Sequence, residues 1–311
     1  MTTPNPFLTL PELPEWQLRT LVRSLQVPEP NPKPGRPRTY TDTHLLRLHV
    51  YRVLMGWSVE RMLRELRRDP SLRRALGLPG VPGRATVSER SKHLPWRALW
   101  QRREREEEGA KRRVLGLDAT PLPAQATDPE ARWGKDSRGQ WVYGYKLHLL
   151  LDLDTGEVLA LSVTPAHRHD GPVGLALVRG MAPLEGEKPS LLLADSAYDA
   201  EVLFEAAEGK GLLLLSGHNR RRGKPRGKRR KSNLRRLQRG AYRGLYRRRW
   251  ELETVVGLLK GPLGLEACVG RVRGLEAVIR QVMAVVTAFS FVAQALARAA
   301  LPIAWVARVA A

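Results

Sequence analysis

Residues 144–170 read GYKLHLLLDLDTGEVLALSVTPAHRHD. Two runs rich in apolar and β-branched residues, 143–153 and 158–166, flank the turn-forming tetrapeptide DTGE, so the stretch predicts two strands joined as an antiparallel hairpin. Upstream, VLGLDATPL at 114–122 has the same character and reads as an earlier strand. Downstream the period changes. Residues 170–181 are helical in pattern, SLLLAD at 190–195 is a short continuous apolar run suited to a buried strand, 198–208 is helical again, and LLLLSG at 212–217 is a further strand. The order β-β-β-α-β-α-β predicts an α/β fold with a mixed sheet and flanking helices.

On either side the chain reads differently. Between Arg220 and Arg249 there are 16 basic residues in 30 positions and no acid. So many like charges with few apolar residues predict an extended, self-repelling loop over 218–233. A long helix follows over about 234–259, and an apolar one closes the chain. Residues 281–297 carry no charge and approach the minimum length of a membrane span. Gln281, Thr287, Ser290 and Gln294 interrupt the run, which reads as a buried terminal helix and not an anchor. At the other end, NPKPGRPR at 31–38 is Pro-rich and basic and cannot be helical, because proline lacks the amide donor and restricts its predecessor. Beyond it Leu45, Leu46, Leu48, Val53 and Leu54, then Val59, Met62, Leu63 and Leu66, repeat at helical spacing. Thr86 with Glu89 has capping-box spacing for another helix start. Residues 1–110 therefore predict a small, basic, all-helical domain ahead of an α/β domain at 111–311.

The 311 residues carry 53 Lys and Arg against 31 Asp and Glu, a formal charge of +22. Such a field favours a polyanionic partner, nucleic acid first. The charge also fits a ribosomal or RNA-packaging protein, which would not account for acids placed at strand ends. One cysteine, Cys268, excludes an internal disulfide framework and a multi-cysteine zinc site, and suits a reducing cytoplasm. The first 26 residues lack the basic-then-apolar pattern of a secretory signal.

Acids are scarce, so those in apolar settings invite a reason. Asp118 lies within LGLDAT and Asp195 ends LLLAD, where open α/β sheets place ligand-binding groups. Either could also cap a following turn. In YRRRWELETVVGLLK, Tyr246, Arg249, Glu253 and Lys260 fall within about 60° of one face of a continuous helix, with Glu251 on the far side. One carboxylate among Tyr, Arg and Lys suits phosphodiester chemistry, the acid for a metal and the cations for phosphate oxygens. An incidental Arg249–Glu253 helix pair is the alternative.

The spacing Tyr246, Arg249, Glu253, Lys260 resembles the YREK signature of DDE transposases of bacterial insertion-sequence families four and five. Asp118 in LDAT and Asp195 in ADSAYD match the settings of that family's two catalytic Asp, and Thr164, Ala166, His169 and Asp170 resemble its Thr-x-Ala-x-x-His-Asp ending. Ser196 and Ala197 depart from the Lys and Gly often found there. The resemblance implies an RNase H-like catalytic domain with Asp118, Asp195 and Glu253 as catalytic metal ligands, holding two Mg²⁺ ions that Mn²⁺ can replace. It also implies cleavage at terminal inverted repeats and joining of the freed 3′ ends to target DNA. Double-stranded DNA, both transposon ends and target, is the implied partner, with a homodimer in the synaptic complex. A cytoplasmic, nucleoid-associated enzyme with no membrane is expected.

DNA contacts are expected from Tyr246, Arg249 and Lys260, from Arg220, Arg221, Arg222, Lys228, Arg229 and Arg230 in the basic loop, and from Arg36 and Arg38 in the arm. The helical domain with its arm is assigned to the DNA ends, GRPR being fit for a narrow minor groove or serving only as a linker. His148 and His169 read as structural, Asp170 as a helix cap, Asp152 and Asp154 as solvated turn residues. Trp250 reads as core, or as a residue stacking on an unpaired base. A junction resolvase or other RNase H-like nuclease would share the carboxylates but not require the helical domain or the YREK spacing. A catalytically inactive DNA-binding derivative would not require all three acids.

Overall fold

The computed structural model describes residues 15–30, 38–100, 112–136, 139–186 and 188–299, with 301, 303 and 306 beyond. Most of the basic arm, including Arg36, lies outside them; Arg38 is described and exposed. The chain divides into two units. One comprises residues 1–100, 257–268 and 279–311, the other 101–256 and 269–278.

In the first unit, α1 (Glu15–Ser24), α2 (Asp42–Leu54), α3 (Val59–Arg68), α4 (Pro70–Leu76) and α5 (Arg84–Ser91) are short helices. Thr41 caps α2, its hydroxyl accepting from the His44 amide while His44 accepts from the Thr41 amide. Asp69, Pro70 and left-handed Gly77 bracket α4. The expected capping box is absent, since α5 starts at Arg84 and Gly83 stands at its cap without a side-chain bond.

After the short α11 (Leu265–Val269), most of the terminal helix α12 (Leu275–Arg298) groups with these helices and not with the sheet. By length and composition it could cross a membrane. Its Val282, Val285, Val286, Phe289 and Val292 are buried, and three of the polar residues interrupting the run are partnered. Arg52 donates to Gln281 (3.0 Å), the Trp100 indole to Thr287 (2.9 Å), and Gln294 to the carbonyls of Leu99 and Trp100. A buried amide or hydroxyl is costly unless bonded, so these contacts fix which elements α12 must meet.

The second unit is built on a six-stranded mixed sheet. Its strands are β1 (Val114–Pro123), β2 (Arg132–Lys135), β3 (Trp141–Asp152), β4 (Val158–Pro165), β5 (Ser190–Ala194) and β6 (Leu212–Ser216), with α6 (Asp170–Gly180) before β5 and α7 (Glu201–Glu208) before β6. The order is β2-β3-β1-β5-β6, and β4 also pairs with β3. Strand β1 runs antiparallel to β3 and parallel to β5, as β5 does to β6. The hairpin β3–β4 and the strands at 114, 190 and 212 agree with the reading above; β2 is additional. This mixed sheet is consistent with an RNase H-like domain.

Alternation assigns the two faces. Leu115, Leu117, Leu150, Leu192, Ala194 and Leu214 pack with Val178 of α6 and with Leu203, Phe204 and Ala207 of α7. Gly116 points the other way, and a Cβ there would lie about 3.1 Å from Leu252. Leu252 belongs to α10 (Arg249–Lys260), which therefore crosses the opposite face at β1.

Two further corrections concern charge. The basic run is not an extended loop throughout: it makes a 3-10 turn at Arg220–Arg222 and then α8 (Lys228–Gln238), followed by α9 (Gly240–Arg247). The Glu201 carboxylate accepts the amides of Arg229 and Arg230 and so neutralises the N-terminus of α8. The expected long helix is thereby three, with Arg248 as a turn residue between α9 and α10. Asp152 is not solvated: it is buried, and Arg113 bridges it (2.6 Å) and Glu157 (2.5 Å).

Candidate active site

Asp118 sits mid-strand on β1, where Leu117 pairs with Ala194 of β5. One step on, Asp118 stands beside Asp195, on the face to which Gly116 and Leu193 point. Neighbouring strands are about 4.8 Å apart, so the two carboxylates are side by side. The sequence produces this locally. Apolar runs bury both strands, and β5 ends where Asp195 caps a 3-10 turn (Ser196–Tyr198), its Oδ1 accepting the Ala197 amide at 2.8 Å. The Ser216 hydroxyl donates to the Asp195 carbonyl (2.7 Å) and fixes its backbone to β6.

Among the described residues neither Asp118 nor Asp195 is in an ion pair. Burial raises the Asp118 carboxyl to about 6 against the lone Ala119 amide that bonds it, and the Asp195 charge adds to the rise. Burial raises Asp195 too, with Asp170 contributing. These are carboxylates held in a setting that disfavours their charge, the condition a bound cation relieves.

The third acid is placed differently. Glu253 is exposed and pairs with Arg249 at 2.8 Å, the i to i+4 pair weighed above as incidental. Among the described residues no group of three potential ligands is arranged to hold a metal. Arg249 connects the parts nonetheless. Its charge opposes the pKa rise of Asp118 and Asp195. Tyr246 on α9 is held near the same place: burial raises its pKa, the Arg249 charge opposes this and the Asp195 charge adds to it. Asp118, Asp195, Tyr246 and Arg249 thus form one cluster, with Glu253 on its rim. Lys260 belongs to the first unit, where it pairs with Glu266 at 2.8 Å.

In the basic region Arg220, Arg221 and Lys228 are exposed. Arg229 is engaged by Glu208 (2.6 Å) and Arg230 by Asp199 (2.7 Å). Trp250 is 59% exposed, so it is not a core residue. His148 is fully buried, donating or accepting at Thr164 (3.0 Å), and burial lowers it to about 4. Its Nδ1 and the Tyr198 hydroxyl are buried without partners. His169 is exposed.

One pair escaped the sequence reading. Lys146 binds Asp170 at 2.9 Å, so Asp170 is an ion-pair partner and not a cap, and both charges act on Asp195. The signal was present: a lysine inside a strand of buried apolar residues is rarely there without an acid to meet it.

A mixed sheet carrying adjacent acids at the meeting of β1 and β5 is consistent with an RNase H-like enzyme domain. The family described as Transposase DDE domain matches residues 109–291, and the chain belongs to it. The chain matches no curated protein. It is therefore a DDE transposase of DNA recombination, and DNA binding and divalent-metal use follow from that membership.

Proposed function

We propose that this transposase cleaves DNA at the terminal inverted repeats of an insertion sequence of the YREK type and joins the 3′ ends to target DNA. The carrying observation is the pair Asp118 and Asp195, side by side, half-buried and in no ion pair among the described residues. An all-oxygen donor set suits Mg²⁺, with Mn²⁺ as substitute. Two such ions, when bound, would activate the attacking oxygen and stabilise the leaving one. Asp118 and Asp195 would hold them, and Glu253 would join by releasing Arg249.

Arg249 then changes role. Freed from Glu253, its guanidinium can take a phosphate oxygen, with the Tyr246 hydroxyl beside it to orient the strand. Arg220, Arg221 and Lys228 extend the phosphate contacts; Arg229 and Arg230 would contribute only by leaving their acids, and Lys260, Arg222, Arg36 and Arg38 remain assigned to DNA on sequence grounds. The helical unit is assigned to the ends, and a homodimer to their pairing. We place the enzyme in the cytoplasm, with α12 as a core helix and no membrane role.

The test is a Mg²⁺-dependent cleavage assay on DNA bearing the inverted repeats that flank the gene. Asp118→Ala, Asp195→Ala and Glu253→Ala should each abolish cleavage and leave end binding intact. Cleavage by Glu253→Ala together with its loss in Glu251→Ala would overturn the choice of third acid.

A further inference from the structure

The ribbon of β2 and the first residues of β3 carries an aromatic face that the catalytic site does not use. Trp133 pairs with Tyr143 and Lys135 with Trp141, so alternation puts all four side chains on one face. Trp133 is 60% and Trp141 63% exposed, in a protein whose other large apolar side chains are mostly buried. The rings are ordered against their neighbours. Trp133 and Tyr143 lie 5.3 Å apart between centroids, and the Lys135 ammonium sits 4.8 Å from the Trp141 ring. The Tyr143 hydroxyl is tied to the Asp128 carbonyl at 2.6 Å.

The opposite face is pinned. A Cβ at Gly134 would lie 2.1 Å from the Ala166 carbonyl oxygen, and one at Gly144 equally close to that of Leu122. The ribbon is therefore held by its glycine side and offers its aromatic side outward. Two exposed indoles, a tyrosine and a lysine on one face, with Arg132 on the same strand, match the chemistry of stacking platforms for unpaired bases. A protein partner would need an apolar or acidic surface; the cations here and the +22 charge of the chain favour a polyanion.

We infer that the Trp133–Lys135–Trp141–Tyr143 face binds single-stranded or unpaired DNA by stacking its bases. Resting on the reading of DNA as substrate, it adds a second contact on the strand. Trp141 is eight positions from Leu149, the residue opposite Asp118, and has its side-chain parity. At about 3.4 Å per residue this is about 27 Å of strand between the platform and the position of Asp118.

The experiment titrates the full chain with short oligothymidylate, and with duplex of the same length, following tryptophan fluorescence. Trp133→Ala with Trp141→Ala should weaken oligothymidylate binding by about tenfold or more, and duplex binding far less. Trp133→Phe with Trp141→Phe should retain most of the affinity, and covers the case in which the alanine protein does not fold. Unchanged oligothymidylate affinity in a folded alanine variant overturns the inference, as does a loss of affinity in either variant that is accompanied by a change in its oligomeric state, which would make the face a contact between copies. Failure of the wild-type chain to bind any DNA would instead sink the functional reading.

Discussion

Asp195 and Asp199 stand four residues apart in ADSAYD, and their surroundings treat them in opposite ways. Burial opposes the charge of both. Around Asp199 the opposition is overcome: Arg230 donates twice, at 2.8 and 2.7 Å, and the Asn219 amide once, at 2.9 Å, so its pKa is lowered. Around Asp195 a single amide bond falls short, and its pKa is raised. The difference separates an acid tied into the fold from one that is not: Arg230 of α8 supplies a cation to Asp199, whereas Asp118 and Asp195 are in no ion pair among the described residues, which fits the metal-binding role proposed for them.

The largest effect should separate the two acids by activity. Asp195→Asn should reduce cleavage by at least the ~10²–10³-fold that one preorganised transition-state contact is worth. Asp199→Asn should keep activity per folded molecule within a few fold, measured with active-site concentration normalised by DNA binding. Equal losses would erase the distinction.

Stability should show the reverse order. Arg230→Gln leaves Asp199 buried without its main partner, and chemical denaturation should show a loss of about 3 kcal/mol at pH 7. Because the folded Asp199 pKa is lowered, its stabilisation is present above the unfolded value near 3.8 and is lost as pH falls through the folded one. The gap between wild type and variant should therefore narrow below pH 3.8.

Asp118 gives the opposite sign and a slightly smaller size. Its folded pKa of about 6 exceeds the unfolded 3.8, so its ionisation destabilises the metal-free protein as pH rises through this window. In chelator, Asp118→Asn should be more stable than wild type at pH 8 by about 2–3 kcal/mol and no more stable below pH 3.8, by thermal unfolding at both. A stability gain that persists at low pH would assign the effect to packing.

The smallest effect belongs to Arg249→Gln. The pair with the exposed Glu253 is worth under about 1 kcal/mol. Removing the cation should still move the Asp118 carboxyl above about 6, read by carboxyl NMR titration, since Arg249 opposes the rise. No movement would detach Arg249 from the site.

Much of the sheet was legible because its cause is local. Apolar runs of strand length, the DTGE turn and the helical periods between them fix the elements at 114, 143–166, 190 and 212 without reference to the rest of the chain. Asp118 and Asp195 were legible for a related reason, as acids embedded in runs that must be buried. Glu253 was named by spacing, but spacing did not show that Arg249 already holds it. The charge run misled because repulsion among its own residues is readable in sequence, whereas Glu201, Glu208 and Asp199, which quench it, lie tens of residues earlier.

By itself, then, the sequence determined five of the six strands, the scarcity of acids that makes Asp118 and Asp195 stand out, and a basic surface suited to DNA. Periodicity, burial propensity and net charge are properties of the chain read in order. Tertiary structure decided the rest: that β1 and β5 lie side by side and bring the two acids together, that Arg229 and Arg230 are neutralised while Arg220 and Arg221 are exposed, and that Trp133 and Trp141 share one open face. Each is a matter of which distant groups meet, and a charge or a ring acquires its energy only from what stands beside it.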